Sequence, residues 1–172
     1  MQDFVNTNDV EAERERLRSP ASLHDWLVEH DLLTGNLKLT DEDLTRTLEL
    51  REGIRALLAA HNNLPADVQA ATTRLNTETE HAQLVAQLDL AGASRLEPRS
   101  SGLDRALGHI LAAIHTAVAN GTWIHMKACE RDSCRWAFYD HSKNHSGRWC
   151  HSAICGTRER SRRAYQRRRA QT

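Results

Sequence analysis

The chain has 172 residues and a mass of 19.5 kDa, too short for three ordinary domains but long enough for one buried core with a small appended module. Hydrophobic residues make up 40% and charged ones 27%, which excludes a wholly disordered chain and a collagen-like or mucin-like one. A formal net charge of zero conceals a partition: residues 1–126 hold 11 Lys+Arg against 19 Asp+Glu and residues 127–172 hold 12 against 4, or −8 and +8. An acidic body with a basic tail points to a polyanion partner, or to docking of the tail on the body.

The start, Met-Gln-Asp-Phe-Val-Asn, has neither a basic n-region nor an apolar run, so a cytoplasmic protein with reduced thiols is expected. Asp3-Phe4-Val5-Asn6-Thr7 is a brief apolar opening before Glu11 to Arg18, whose alternating charges suit a solvated face. Ser22 is placed to cap a short helix carrying Leu23, Trp26 and Leu27, stopped near Gly35. Thr40, followed three residues later by Asp43, is a capping pattern for a longer helix whose apolar side is Leu44, Leu48, Leu50, Ile54, Leu57 and Leu58, as far as about His61. Pro65 suits the first turn of a further helix through Val68, Ala71 and Leu75 to about Glu78.

The period then changes. Leu84 to Leu90, Ala91-Gly92-Ala93 and Ser94 to Glu97 read as a hairpin with a glycine turn. From Gly102, helical spacing returns with Leu103, Leu107, Ile110, Leu111, Ile114 and Val118, ending at Asn120-Gly121. Ala106 to Met126 is free of Asp, Glu, Lys and Arg over 21 residues, but His109, His115, Asn120, Gly121 and His125 make it a buried helix of a body that does not enter the membrane.

The remaining segment is of a different kind. From Trp123 onward the chain holds six of the eight Phe, Trp and Tyr residues and all four cysteines, Cys129, Cys134, Cys150 and Cys155. Four residues separate the members of each pair and fifteen separate the pairs, so two claws flank a short insert. Four soft thiolates converging from two claws suit one tetrahedral structural Zn²⁺ per chain, and a closed thiolate shell leaves no position for catalytic water. Disulfides, unligated thiols, and a mixed site using His125, His141, His145 or, sterically poorest, His151 are the alternatives. Trp136 to Tyr139 reads as a strand of a hairpin between the claws, and Ser152 as the cap of a helix whose first turn holds Cys155: a treble-clef-like arrangement.

Arg158 to Arg169 contains seven arginines in twelve residues, with almost nothing apolar. Rooted in the zinc cluster, such a helix suits phosphates and base edges, which makes Arg148, Arg158, Arg160, Arg162, Arg163 and Arg167 the candidate contacts to double-stranded DNA. A solvated tail is the bland alternative, and arginine-rich segments bind RNA also.

Cys129, Cys134, the stretch Phe138-Tyr139-Asp140-His141-Ser142-Lys143-Asn144, Arg148-Trp149-Cys150 and Cys155-Gly156-Thr157-Arg158 resemble the CGNR zinc finger, with Thr157 standing where the name-giving motif has Asn. Asp3 to Thr7 and the helices after it resemble the ABATE domain that precedes this finger in stress-induced transcription regulators of bacteria. The resemblance implies a DNA-binding finger and a regulatory or sensing N-terminal domain. Arg51 and Arg55 share a helical stripe with Leu44, Leu48 and Leu58, where they either pair with acids such as Asp3 or face an effector pocket.

The expected fold is therefore α+β, with a mainly helical domain bearing a small β-hairpin over residues 1–122 and a zinc finger with a basic C-terminal helix over 123–172. The expected function is a zinc-stabilised DNA-binding transcriptional regulator, not an enzyme, whose N-terminal domain senses an unidentified effector or self-associates into a homodimer. The rival function is a zinc-dependent protein-interaction module whose basic segment docks on an acidic surface.

Overall fold

The structure, a computed structural model, describes residues 1–170. Its described elements include six α-helices, three two-stranded antiparallel sheets and two short turns of other helix types, Trp123–His125 and Ser152–Gly156. A single turn, α1 (Gln2–Val5), buries Phe4 and Val5, and a tight pairing of β1 (Asn8–Asp9) with β2 (Arg14–Glu15) follows it. Helix α2 (Pro20–Glu29) is capped by Ser19 with Pro20 in its first turn; Ser22, the cap expected from the sequence, lies three residues inside and accepts from the Ser19 backbone N–H. The helix ends at Glu29, well before Gly35.

Helix α3 (Asp41–His61) is the structural axis. Thr40 accepts from the backbone N–H of Asp43, and the Asp43 carboxylate accepts from the backbone N–H of Thr40, so two orphan donors of the first turn are satisfied reciprocally. Thr40→Ala is expected to lower the stability of the whole chain by about 1 kcal/mol, read as a shift in denaturant midpoint at constant slope.

Asp67 caps α4 (Val68–Ala82), which leaves Pro65 outside the helix; the element runs four residues past Glu78 and closes on Gln83 in the left-handed region. The hairpin β3 (Leu84–Leu88) and β4 (Ser94–Pro98) turns at Gly92 as expected. Helix α5 (Gly102–Ala119) buries Leu103, Leu107, Ile110, Leu111 and Ile114. Val118, on the same sequence stripe, is exposed because the helix has outrun the core by that point. Among the described residues no helix is long and apolar enough to cross a membrane. Arg46 on α3 reaches Glu78 on α4 at 2.8 Å and Asp104 on α5, so one guanidinium ties the three helices.

One apolar core takes Phe4 from α1, Leu23 and Leu27 from α2, Leu50, Ile54 and Leu58 from α3, and Leu107 from α5. It also takes Met126, Ala128 and Ala137. These come from β5 (Met126–Ala128) and β6 (Ala137–Tyr139), which pair with Met126 opposite Tyr139. The hairpin thus encloses the first cysteine claw, where the sequence placed it between the two claws. The reason is burial: β5 alternates onto α3 and offers β6 a ready edge, whereas His141 to Gly147 is polar turn.

Side-chain amides stitch the hairpin to the body. Asn6 accepts from the Ala137 N–H at 2.8 Å and donates to its carbonyl at 2.9 Å, while Asn62 donates to the carbonyls of Ala128 and Arg148, both at 2.8 Å. His61 Nδ1 donates to Met126 at 2.8 Å. Each bond satisfies a backbone group that would otherwise be stranded where finger and body meet.

Candidate metal centre and nucleic-acid interface

Cys129 follows β5 directly, and Cys134 sits in a turn closed by its own N–H donating to Arg131 at 2.8 Å. Cys150 ends the polar turn. Cys155 lies in a wide π-type turn, Ser152–Gly156, that runs without a break into α6 (Thr157–Arg169). This turn starts from His151, whose carbonyl accepts from Cys155 at 2.9 Å; Ser152, expected as the cap, makes no capping bond.

The four sulfurs lie within 4.8 Å of one another, with Cys134 to Cys150 and Cys150 to Cys155 both at 3.7 Å. A tetrahedron with Zn–S bonds of about 2.3 Å has edges of about 3.8 Å, so the claws are already spaced for zinc. Cys129, Cys134 and Cys155 are buried, and Trp136, Phe138 and Trp149 pack around them. Hydrogen bonds from the Cys134 and Cys150 thiols, with backbone N–H groups of Cys150 and Arg131, pull the Cys129 thiol far down toward thiolate. The Cys129 sulfur in turn pushes Cys134 up, and Cys129 and then Cys134 push Cys150 up. Four sulfurs this close resist a second and third negative charge until a cation joins them, and a divalent ion removes that resistance. The cysteine quartet is therefore a site for one structural Zn²⁺. The histidines of the alternative mixed site make other contacts: His125 stacks on His145 at 3.6 Å, and His141 packs on Tyr139.

Two features lock the second claw. Lys127, buried, donates to Asp140 at 2.7 Å and to the carbonyls of His145 and Gly147, while Asp140 also accepts from the N–H groups of Ser142 and Gly147. Gly156 has ordinary helical φ, so conformational freedom is not why it is glycine. A Cβ there would meet Trp149 Cε3 at 3.0 Å and Arg160 at 3.1 Å. Gly156→Ala is expected to push Trp149 off the zinc cluster and lower the thermal midpoint of the zinc-loaded protein, a loss of roughly 1–3 kcal/mol.

Each arginine expected to bind DNA has a definite position. Arg148 pairs with Glu130 and lies 5.7 Å over the Trp149 ring. Arg160 lies 5.7 Å over the same ring and donates to Thr157 Oγ1 at 3.0 Å. Arg158 pairs with Glu11. Arg162 and Arg163 both bond Glu159, and Arg163 also bonds Glu130 at 2.6 Å. Arg167 is exposed in the last turn, near Arg169, which lies over Tyr165. The helix thus carries one carboxylate, Glu159, buried under its arginines. Hydrogen bonds from Arg162 and then Arg163 hold that carboxyl down to about 2.

Glu159 and Glu130 were invisible as site residues in the sequence because a lone acid among arginines reads as solvated. Here they act as anchors that fix guanidinium directions before any partner arrives. Arg131 was also missed; it lies between the two cysteines of the first claw and bonds Glu11 at 2.7 Å.

Arg51 and Arg55, the pair suggested for an effector pocket, are buried and bonded within the chain. Arg51 reaches Glu15 at 2.7 Å, Glu52 and Thr7. Arg55 reaches Glu52, the carbonyls of Val5 and Asn8, and the carbonyl of Arg135 on the first claw. The acids are Glu15 and Glu52, where the sequence suggested Asp3.

A helical body whose core receives the hairpin of a four-cysteine finger, with an arginine-rich helix leaving the last ligand, is the architecture of a zinc-finger protein. The chain belongs to the ABATE family, described as "Putative stress-induced transcription regulator", whose profile matches residues 1–121. The CGNR zinc finger matches residues 125–168. Together they make the chain a zinc-containing regulator, and neither description is that of an enzyme. A search of the curated proteins gave no match.

Proposed function

We propose that this protein is a transcriptional regulator of the bacterial cytoplasm that binds double-stranded DNA through its finger. It is divided into a control unit, residues 1–122, and a reading unit, residues 123–172. The observation that carries the reading is the rooting of α6: its first turn follows Cys155 immediately, so zinc fixes the origin and direction of an exposed arginine helix. A floppy basic tail binds phosphate but cannot hold a register; a helix anchored at one end can lie in a groove with defined side chains facing base edges.

Arg148, Arg158, Arg160, Arg162, Arg163 and Arg167 are the DNA contacts in this reading, and the Cys129, Cys134, Cys150 and Cys155 thiolates are the zinc ligands. The N-terminal domain senses a signal or pairs two copies on a two-part site. Arg51 and Arg55 hold segment 1–15 and the first claw against α3, so an effector acting there works by displacing those bonds.

Fluorescence titration of labelled duplex DNA with zinc-loaded protein at several salt concentrations tests this. Affinity should fall steeply with salt, and Arg160→Gln and Arg167→Gln should each reduce the slope of log K against log salt by about 0.9. Binding that ignores both substitutions would contradict the assignment. A second reading has its own support, because Arg158 and Arg163 already rest on the acids Glu11 and Glu130. In that reading the basic segment docks on acidic protein surfaces, and weak equal affinity for every polyanion would favour it.

A further inference from the structure

We infer that Arg131 and Arg158 form a seat for a backbone phosphate of duplex DNA, and that in the free protein the carboxylate of Glu11 occupies this seat in the phosphate's place. This rests on the DNA-binding reading above and adds to it a contact residue, Arg131, and a built-in competitor.

The geometry is specific. Glu11 is on the turn between β1 and β2, far from the finger in sequence. Its Oε1 accepts from Arg131 Nη1 at 2.7 Å and from Arg158 Nη1. Two guanidiniums converging on one anionic oxygen is the arrangement by which proteins take a phosphate oxygen. Arg131, Ser133, Arg158 and Arg162 line an open concavity of about 440 Å³ at this place, with Asp132 and Glu159 also on its wall. Arg131 lies in the first claw between Cys129 and Cys134, and Arg158 lies one turn beyond Cys155, so the seat is set by the metal.

The competitor is equally well placed. Asp9 accepts from the Ala12 N–H at 3.0 Å and pairs with Arg14, which shapes the turn that carries Glu11. Glu15 at its base accepts from the buried Arg51 on α3. Glu11 is therefore presented by a turn tied to the body, and ordering it costs little when it meets the arginines. A surface carboxylate binds such a pair weakly enough to yield to a polyphosphate strand whose many charges act together. Seating DNA must then displace Glu11, which couples segment 8–15 of the control unit to the DNA surface.

Glu13, on the same turn, is exposed and makes no ion pair among the described residues, so it reports the effect of charge alone. Zinc-loaded full-length protein, Glu11→Gln, Glu13→Gln, Arg158→Gln and the Glu11→Gln/Arg158→Gln double variant would be titrated against a labelled mixed-sequence duplex, with zinc content and circular dichroism confirming the fold. Glu11→Gln should tighten binding roughly three- to tenfold and steepen the salt slope by about 0.9, while Glu13→Gln should change affinity less than twofold. Arg158→Gln should abolish most of the gain in the Glu11→Gln background and have a smaller effect on the wild-type chain, because there Glu11 already masks that arginine. Equal tightening by Glu11→Gln and Glu13→Gln, or none by Glu11→Gln while the wild-type chain binds DNA, overturns the seat and leaves the DNA-binding reading standing. Absence of duplex binding by every one of these proteins overturns both.

Discussion

Cys150→Ala is expected to remove the metal, the finger's fold and any DNA affinity in one step. Cys150 lies 3.7 Å from both Cys134 and Cys155, so its sulfur joins the two claws. Residues 129–170 bury little apolar surface of their own: the small cluster around the cysteines is Phe138 with partly buried Trp136 and Trp149. A module of this size does not fold on such burial, and metal binding, on the order of 10–16 kcal/mol in comparable peptides, supplies what is missing. Loss of one ligand should cancel most of that. The hairpin β5–β6 should survive, because Met126, Ala128 and Ala137 belong to the helical core and are held by Asn6, His61 and Asn62. Amide hydrogen exchange would show it: fast exchange in the second claw and α6, with β5, β6 and α3 still protected. Chelation of the wild-type protein should give the same pattern. Protection of α6 that persists without metal would mean the helix is held by something other than zinc.

Asp140→Ala is expected to have the next largest effect. The carboxylate is almost wholly buried, as is the Lys127 ammonium it faces. Removing it leaves that ammonium with carbonyls alone and frees the N–H groups of Ser142 and Gly147, a loss of about 3–5 kcal/mol typical of a broken buried pair. The polar turn that brings Cys150 to the metal should loosen, so zinc affinity should drop with stability. The pH dependence has a definite sign. Burial pushes the Asp140 carboxyl up, but bonds from Lys127, Ser142 and Gly147 outweigh it and hold the group below its ordinary 3.8. A carboxyl depressed on folding contributes stability above its unfolded value, and the contribution is lost as pH falls through the folded one. The stability gap between wild type and Asp140→Ala should therefore be constant above about pH 5 and shrink as the medium is acidified below about pH 4. Comparing the two proteins at each pH cancels the loss of zinc that thiolate protonation causes in both. A gap that widened on acidification would refute the ion pair.

Much of this was legible because it is local. Helix α3 announces itself by Thr40 and Asp43 three residues on, α5 by its uninterrupted stripe, β3–β4 by Gly92, and the metal site by the equal spacing of the cysteine pairs. What stayed hidden depends on contacts distant in the chain. Ser19 and Ser22 are both good caps in isolation; Pro20 in the first turn and the reciprocal hydroxyl bond decide for Ser19. Nothing near Ala137 shows that its partner strand precedes Cys129, because that choice is made by the fit of β5 against α3 and by Asn6, more than a hundred residues upstream. Arg51 and Arg55 read either as paired with acids or as facing a pocket, because a stripe shows burial and not what lies opposite. Glu15, Glu52 and the claw carbonyl fill that space. Glu11 escaped notice for the same reason: an acid in an alternating charged run gives no sign that a finger has folded back onto it.

The most direct test of a zinc-held, sequence-reading helix is selection of bound molecules from random duplex DNA by zinc-loaded full-length protein. A shared consensus should emerge over successive rounds, and it should vanish when the same selection is run with chelated protein. A recovered pool indistinguishable from the input, under conditions where the loaded protein still binds duplex, would show that the arginines of α6 grip phosphate without reading sequence.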